Sequence, residues 1–268
     1  MRQIFPLRDG ECGPQLGPSD PLSAAGPIKP PASGAIEDLI ATLGEIYADP
    51  DQTWVKANMI ASVDGAVTVD GRSGGLSGAA DRLVFSVLRS LADVIVVGAG
   101  TARAERYRQP RPEELWQQLR AGRPSAPPVA VVTRRLDLAL TDRLFGPGEP
   151  RTLVLTTELV PDDRMREASR VADVIVAGAD GVTVASMIDA LAGRGHRRIL
   201  VEGGPTLLGQ LAAEGLLDEL CLTISPVLEG GHSTARVTSR QGPAELTGLR
   251  LAALLEDEGF LLSRYVRA

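Results

Sequence analysis

ILVEGGPTLLGQ, residues 199–210, reads as a buried strand, a sharp turn and a helix. Ile199, Leu200 and Val201 form a short apolar run behind the basic pair Arg197-Arg198. Gly203 and Gly204 permit a tight turn because no Cβ stands in the way. Pro205 suits the first turn of a helix, where its missing N–H is no loss, and Thr206 adds a hydroxyl at the same end. The free amides of that turn and the positive end of the helix dipole then face whatever sits above the strand, a natural seat for a phosphate or pyrophosphate. Glu202, last in the strand, faces the same crevice. A carboxylate beside an anion repels it, so Glu202 is read as serving a second ligand next door.

The apolar and turn-forming residues on either side extend the pattern. Strands are expected over 54–61, 93–97, 129–133, 152–157, 174–177 and 219–225, with a short one over 66–69. Helices are expected over 35–48, 79–91, 112–121, 162–171, 183–193 and 205–214. Residues 252–266 read as a hairpin turning at Asp257-Glu258-Gly259. Repeated strand–helix units need crossover connections, which give a mostly parallel sheet. The expected fold is therefore α/β and three-layered, with helices on both faces of the sheet and an antiparallel C-terminal hairpin. Residues 1–34 are rich in Pro, Gly and Ser and read as a loosely draped arm. The division is an arm with a short helix over 1–52 and one domain over 53–268.

Composition narrows the function. The 268 residues carry a net charge of −6, and only 3% are aromatic, which argues against a nucleic-acid partner. The two cysteines, Cys12 and Cys221, and the two histidines, His196 and His232, form no metal-ligand spacing, so no metal site is expected. The N-terminus shows no secretory pattern and no apolar run reaches membrane length, so a cytoplasmic protein is expected.

Three further motifs carry chemistry. Gly98-Ala99-Gly100-Thr101 follows the 93–97 strand and supplies two glycines of a dinucleotide fingerprint, although Arg103 stands where a third small residue belongs. Alone it fits a plain strand-to-helix turn equally well. Beside the 203–206 turn it can hold the second phosphate of one dinucleotide. Thr133-Arg134-Arg135 follows another strand, where Arg suits a ribose 2′-phosphate and an acid would suit NAD. Asn58 shares a strand face with Lys56 and Ile60 and can bond the amide edge of a heterocycle. Asp64, in Ser62-Val63-Asp64-Gly65, is a candidate general acid/base, yet Asp-Gly is also an ordinary turn dipeptide. Arg89, on an otherwise apolar helix, pairs either with a substrate phosphate or with an internal acid.

In order along the chain, NxxxSxDG at 58–65, the glycine-rich loop ending LSG at 78, LRxxAD at 88–93, VGxGT at 97–101, EGGPTL at 202–207 and LDELxLxIxP at 217–226 resemble the pyrimidine reductase family of riboflavin biosynthesis. This is the reductase part of the bifunctional deaminase-reductase, similar in fold to dihydrofolate reductase. The resemblance covers about 54–268 and includes no zinc-binding deaminase pattern. It implies NADPH as cofactor, a homodimer, and reduction of 5-amino-6-(5-phosphoribosylamino)uracil to its ribitylamino form. It carries over Ala61, Gly75, Thr101, Thr133, Arg134, Gly204, Pro205, Thr206, Leu207, Leu208, Gly209 and Gln210 as cofactor positions, to which the turn reading adds Gly98, Gly100 and Gly203, and Glu105 stands in for the first acid of the family pattern. It likewise carries over Asn58, Ser73, Arg89 and Glu202 as substrate positions. Glu202 and Asp64 are the catalytic candidates, Asp64 as a proton relay. The family usually shows two acids, Pro, then Leu and Arg after the Gly-Thr turn; here stand Glu105-Arg106-Tyr107-Arg108-Gln109. Arg106, Arg108 or Arg111 is left to grip the substrate phosphate. The rival readings are a reductase of another pteridine or pyrimidine, such as dihydrofolate, and a nucleotide-binding dimer without catalysis.

Overall fold

A computed structural model describes residues 1–5, 35–148, 150–231, 236–238 and 247–268. Most of the expected arm, together with Cys12 and His232, lies outside the described residues. The elements run β1 (Arg2–Phe5), α1 (Ala35–Ile46), β2 (Trp54–Ser62), α2 (Ala79–Leu91), β3 (Val94–Gly98), α3 (Ala99–Ala104), α4 (Glu114–Leu119) and β4 (Val129–Val132). They continue β5 (Leu153–Thr156), α5 (Asp162–Ser169), β6 (Asp173–Val176), α6 (Val184–Ala192), β7 (Arg198–Val201), α7 (Pro205–Ala213), β8 (Glu219–Ser225), β9 (Leu249–Asp257) and β10 (Phe260–Arg267).

Among the described residues the strands form one sheet in the order β1-β9-β10-β8-β2-β7-β3-β4-β5-β6. From β8 to β6 every pairing is parallel, and β10, β9 and β1 close the other edge antiparallel. Alternating side chains split the core into two halves. Ile95 and Val97 pack with Leu43 of α1, with Tyr47 just beyond it, and with Val84 and Leu88 of α2. Val94 and Val96 face the other way, against Met187 and Leu191 of α6 and Leu208 and Leu211 of α7. A sheet apolar on both faces, covered on both, is the expected three-layer α/β architecture.

Two local expectations change. Arg2–Phe5, assigned to the arm, is a strand held by antiparallel pairing to β9. Residues 66–69 form no strand. Both neighbours of β2 are already taken, by β7 and β8. Ala66 N bonds Ser62 Oγ at 2.9 Å, and Val69 and Arg72 exchange backbone bonds in a tight turn. That turn leads into a short 3₁₀ stretch, Ser73–Gly75, ahead of α2. No described helix is long and apolar enough to cross a membrane.

Candidate functional site

Strands β2, β7 and β3 end side by side, so their carboxyl ends bring the two glycine turns into contact. Gly98 N donates to Gly203 O at 3.0 Å. Gly203 has φ +106°, a conformation that favours glycine, and the Gly203–Gly204 peptide is cis. A Cβ on Gly204 would stand 2.4 Å from Thr101 Oγ1. Gly204 is the N-cap of α7, Pro205 opens the helix, and no side chain caps it. The amides of Thr206 and Leu207 thus lack intrahelical partners. Leu208 N already bonds Gly204 O at 3.1 Å, and Leu207 and Leu208 point their side chains into the core. Leu208, Gly209 and Gln210 therefore lie past the free turn, and of the expected 203–210 run only its first residues face the crevice.

A cleft of about 580 Å³ opens in front of these turns. Asn58, Ser73, Arg89 and Glu202, expected to meet one substrate, all line it, as do Thr101, Glu105, Gly203, Gly204 and Pro205. Glu105 Oε1 accepts from Ser73 N at 2.7 Å, tying the 70–78 loop to the end of α3. Gly75 sits beside that bond, where a Cβ would press on Val69 at 3.0 Å. Gly100 is exposed, with open space at its Cβ position. Ala61 is buried in β2 and does not line the cleft. Thr133 and Arg134 follow β4, whose Val132 pairs with Gly98, so they lie at the same sheet edge one strand further on. Thr133 is buried, and exposed Arg134 donates to Asp180 O at 2.8 Å.

Arg89 faces the internal acid of the two alternatives. Its Nε and Nη2 each donate to one Glu202 oxygen at 2.7 Å, a bidentate pair in which the Glu202 side chain is only 2% exposed. The guanidinium lies 4.1 Å from the Phe85 ring centroid and 5.8 Å from that of Tyr107. Burial alone would lower the Arg89 pKa, but the Glu202 charge and hydrogen bonds outweigh it and the net shift is upward. Asp93, close to Arg89 in sequence, instead binds the amides of Arg197 and Arg198 at the opposite sheet edge.

Asp64 does not fit the relay role. It is exposed and does not line the cleft. Its carboxylate accepts from Ser62 Oγ at 2.5 Å and from the amides of Glu229 and Gly230 at 3.2 and 3.1 Å. The Ser62 bond first, then those amides, hold its pKa at about 2, so it stays ionised at neutral pH. It ties two loops together. The residue that the sequence reading passed over is Tyr107, whose hydroxyl donates to Glu202 Oε2 at 2.7 Å. Burial, then the Glu202 charge, pushes the Tyr107 hydroxyl well above its usual pKa. Exposed Arg106, Arg108 and Arg111 line the mouth of the cleft beside it.

Glycine turns meeting at the carboxyl ends of parallel strands, with a cleft before them, define an α/β protein of the class that takes its ligands at that edge of the sheet. Within that class the chain belongs to the RibD C-terminal domain family, whose model matches residues 53–259. It is 32% identical over 187 residues to the 2,5-diamino-6-ribosylamino-4(3H)-pyrimidinone 5′-phosphate reductase of Archaeoglobus fulgidus, covering 69% of this chain and 85% of that protein. It is 30% identical over 189 residues to the riboflavin biosynthesis protein RibD of Mycobacterium tuberculosis, 69% of this chain and 45% of that longer protein. Among solved structures, a pyrimidine reductase-like protein from Corynebacterium diphtheriae superposes with TM-score 0.76 at 29% identity, covering 85% of this chain and 98% of that one.

Proposed function

We propose that the protein uses NADPH to reduce a 6-ribosylaminopyrimidine 5′-phosphate to its ribitylamino form in riboflavin biosynthesis. The observation that carries this reading is the contact between the two glycine turns at the edge of a cleft lined by Asn58, Ser73, Arg89 and Glu202. The cradle suits a dinucleotide: Gly204 leaves no Cβ in it, the first amides of α7 are free, and Arg134 at the adjoining strand end suits a 2′-phosphate. When bound, NADPH would supply a hydride to C1′ of the ring-opened imine form of the sugar, the C=N bond becoming a single bond as its nitrogen takes a proton from water. The chain's own part is placement of the two ligands, which can contribute several kcal/mol to lowering a barrier, roughly 7–11 at best. Asn58 offers its amide to the pyrimidine edge. Glu202, held by Arg89 and Tyr107, faces the sugar. Arg106, Arg108 and Arg111 supply charge for the phosphate.

The family resemblance names the uracil form of the substrate, whereas the archaeal relative is named for the 2,5-diamino form. The two differ in the group at position 2. NADPH oxidation should therefore be assayed with both pyrimidines and with dihydrofolate, and each again with NADH. Turnover of at least one ribosylaminopyrimidine, with NADPH preferred, is the expected result. Turnover of dihydrofolate alone would replace this reading with the pteridine one. NADPH binding without oxidation by any acceptor would leave a nucleotide-binding protein.

We further propose a homodimer. Val63, Val227 and Leu228 are exposed at the end of β2 and β8, joined by a Val63 N to Val227 O bond of 3.0 Å. Leu220, Leu222 and Ile224 share one half-exposed face of β8, and Leu261, opposite Ile224, extends it onto β10. Such a contiguous apolar face suits a self-complementary interface. Sedimentation should give a dimer that Leu222→Arg dissociates; a wild-type monomer at micromolar concentration would end this reading.

A further inference from the structure

The segment after α3 turns sharply. Arg106 has φ +53°, a conformation that non-glycine residues adopt at some cost, and its two neighbours are both anchored. Glu105 holds Ser73 N, and Tyr107 holds Glu202. The turn therefore aims the Tyr107 hydroxyl at the carboxylate that precedes the Gly203 turn, from a segment that begins at the Gly98 turn.

The hydrogen-bond inventory at Glu202 is nearly closed. A carboxylate offers about four lone-pair sites. Arg89 takes one on each oxygen and Tyr107 takes a second on Oε2, which leaves one on Oε1. The Tyr107 hydrogen is committed to Glu202, so its oxygen can accept a further bond and cannot donate one. Arg89, flanked by the Phe85 and Tyr107 rings, gives Glu202 two of its five N–H groups. At Glu202 and the Tyr107 oxygen, this wall of the cleft accepts hydrogen bonds.

We propose that Tyr107 is the specificity-determining residue of the cleft: its hydroxyl fixes Glu202 and, with the last lone pair on Glu202, selects the sugar hydroxyls of a ribosylamino substrate. The proposal rests on the reductase reading of the same site. A pyrimidine lacking the hydroxyl that meets this wall would leave buried acceptors unpaired, the condition under which hydrogen-bonding sites discriminate most strongly.

The test compares the ribosylaminopyrimidine phosphate with its 2′-deoxy and 3′-deoxy analogues on the full chain. Wild type should prefer the parent over at least one analogue by about 10- to 100-fold in kcat/KM. Tyr107→Phe keeps the ring and should collapse that preference. It should also weaken equilibrium binding of the parent pyrimidine to cofactor-free protein, while the NADPH Kd stays at its wild-type value. A wild-type enzyme that turns over both deoxy analogues as well as the parent overturns the proposal, whether or not the variant folds. So does a Tyr107→Phe enzyme that keeps the full preference. A protein that oxidises NADPH with neither pyrimidine fails at the earlier step, the reductase reading itself.

Discussion

Gly204→Ala should weaken NADPH binding by about 5- to 100-fold, while Gly98→Ala should leave it within about twofold. A motif reading treats the two glycines alike, because each follows a buried strand and precedes a helix. The structure separates them. A Cβ on Gly204 would stand 2.4 Å from Thr101 Oγ1, far inside contact distance. Thr101 is β-branched and sits in a helix, where few χ1 positions are open to it, so it cannot turn its hydroxyl aside freely. The two turns must then part, and overpacking of this kind costs about 1–3 kcal/mol. On Gly98 the nearest atom to a new Cβ is Gly204 N at 3.7 Å, an ordinary contact, and its φ of −70° suits any residue. Fluorescence titration of each variant with NADPH checks the contrast, with Thr101→Ala added to the Gly204→Ala protein as the control that should recover part of the loss. Equal affinities for the two single variants would mean that the cofactor does not sit in this cradle.

The contrast also marks how far the sequence can be read. Strand–glycine–helix order placed both turns at the carboxyl edge of a parallel sheet, because local apolar runs and crossover rules suffice for that. The closeness of Gly204 to Thr101 depends on residues more than 100 apart in the chain and leaves no local trace. Arg2–Phe5 is similar: it is a strand only because β9 offers it an edge. Residues 66–69 show the converse, an apolar run that reads as a strand but finds no free partner beside β2. At the site, Asn58, Ser73, Arg89 and Glu202 were legible through the family motifs. Tyr107 was not, because it lies where the chain leaves that pattern. One signal was present: an aromatic residue, one of three tyrosines, set between two arginines just after a nucleotide-type turn. Lys56 shares a strand face with Asn58, yet it lies in the buried cluster around Glu219 while Asn58 lines the cleft, because β2 runs from one end of the sheet to the other between them.

Glu219→Gln should lower stability by about 3–5 kcal/mol at neutral pH and the melting temperature by about 10 °C. Glu219 is fully buried and serves four donors at the end of the sheet away from the cleft. Lys56 Nζ lies 3.2 Å from Oε1, Arg264 Nη2 and Trp54 Nε1 bond Oε2 at 2.8 and 3.0 Å, and Cys221 Sγ bonds Oε1 at 3.4 Å. Lys56 also donates to Tyr47 O at 2.6 Å and pairs with Asp49 at 2.8 Å, while Arg264 donates to Ile46 O at 2.7 Å. The cluster thus fastens the end of α1 to β2, β8 and β10. Gln keeps the shape and removes the charge, leaving two cations facing a neutral amide. Lys56→Met should cost less, because Glu219 keeps Arg264 and Trp54, and Asp49, whose carboxyl burial already pushes upward, can take up a proton. The pH dependence distinguishes lost charge from lost packing. Burial raises the Glu219 pKa, but Lys56 and Arg264 outweigh it, and the net shift is downward. A lowered carboxyl pKa gives stability that is complete above the unfolded value, about 4.3, and is lost as pH falls through the folded one. Denaturation curves of wild type and Glu219→Gln should therefore converge in acid. A gap that stays constant into acid, or one below about 1 kcal/mol at pH 7, would show that the charges in this cluster do not hold the helix to the sheet.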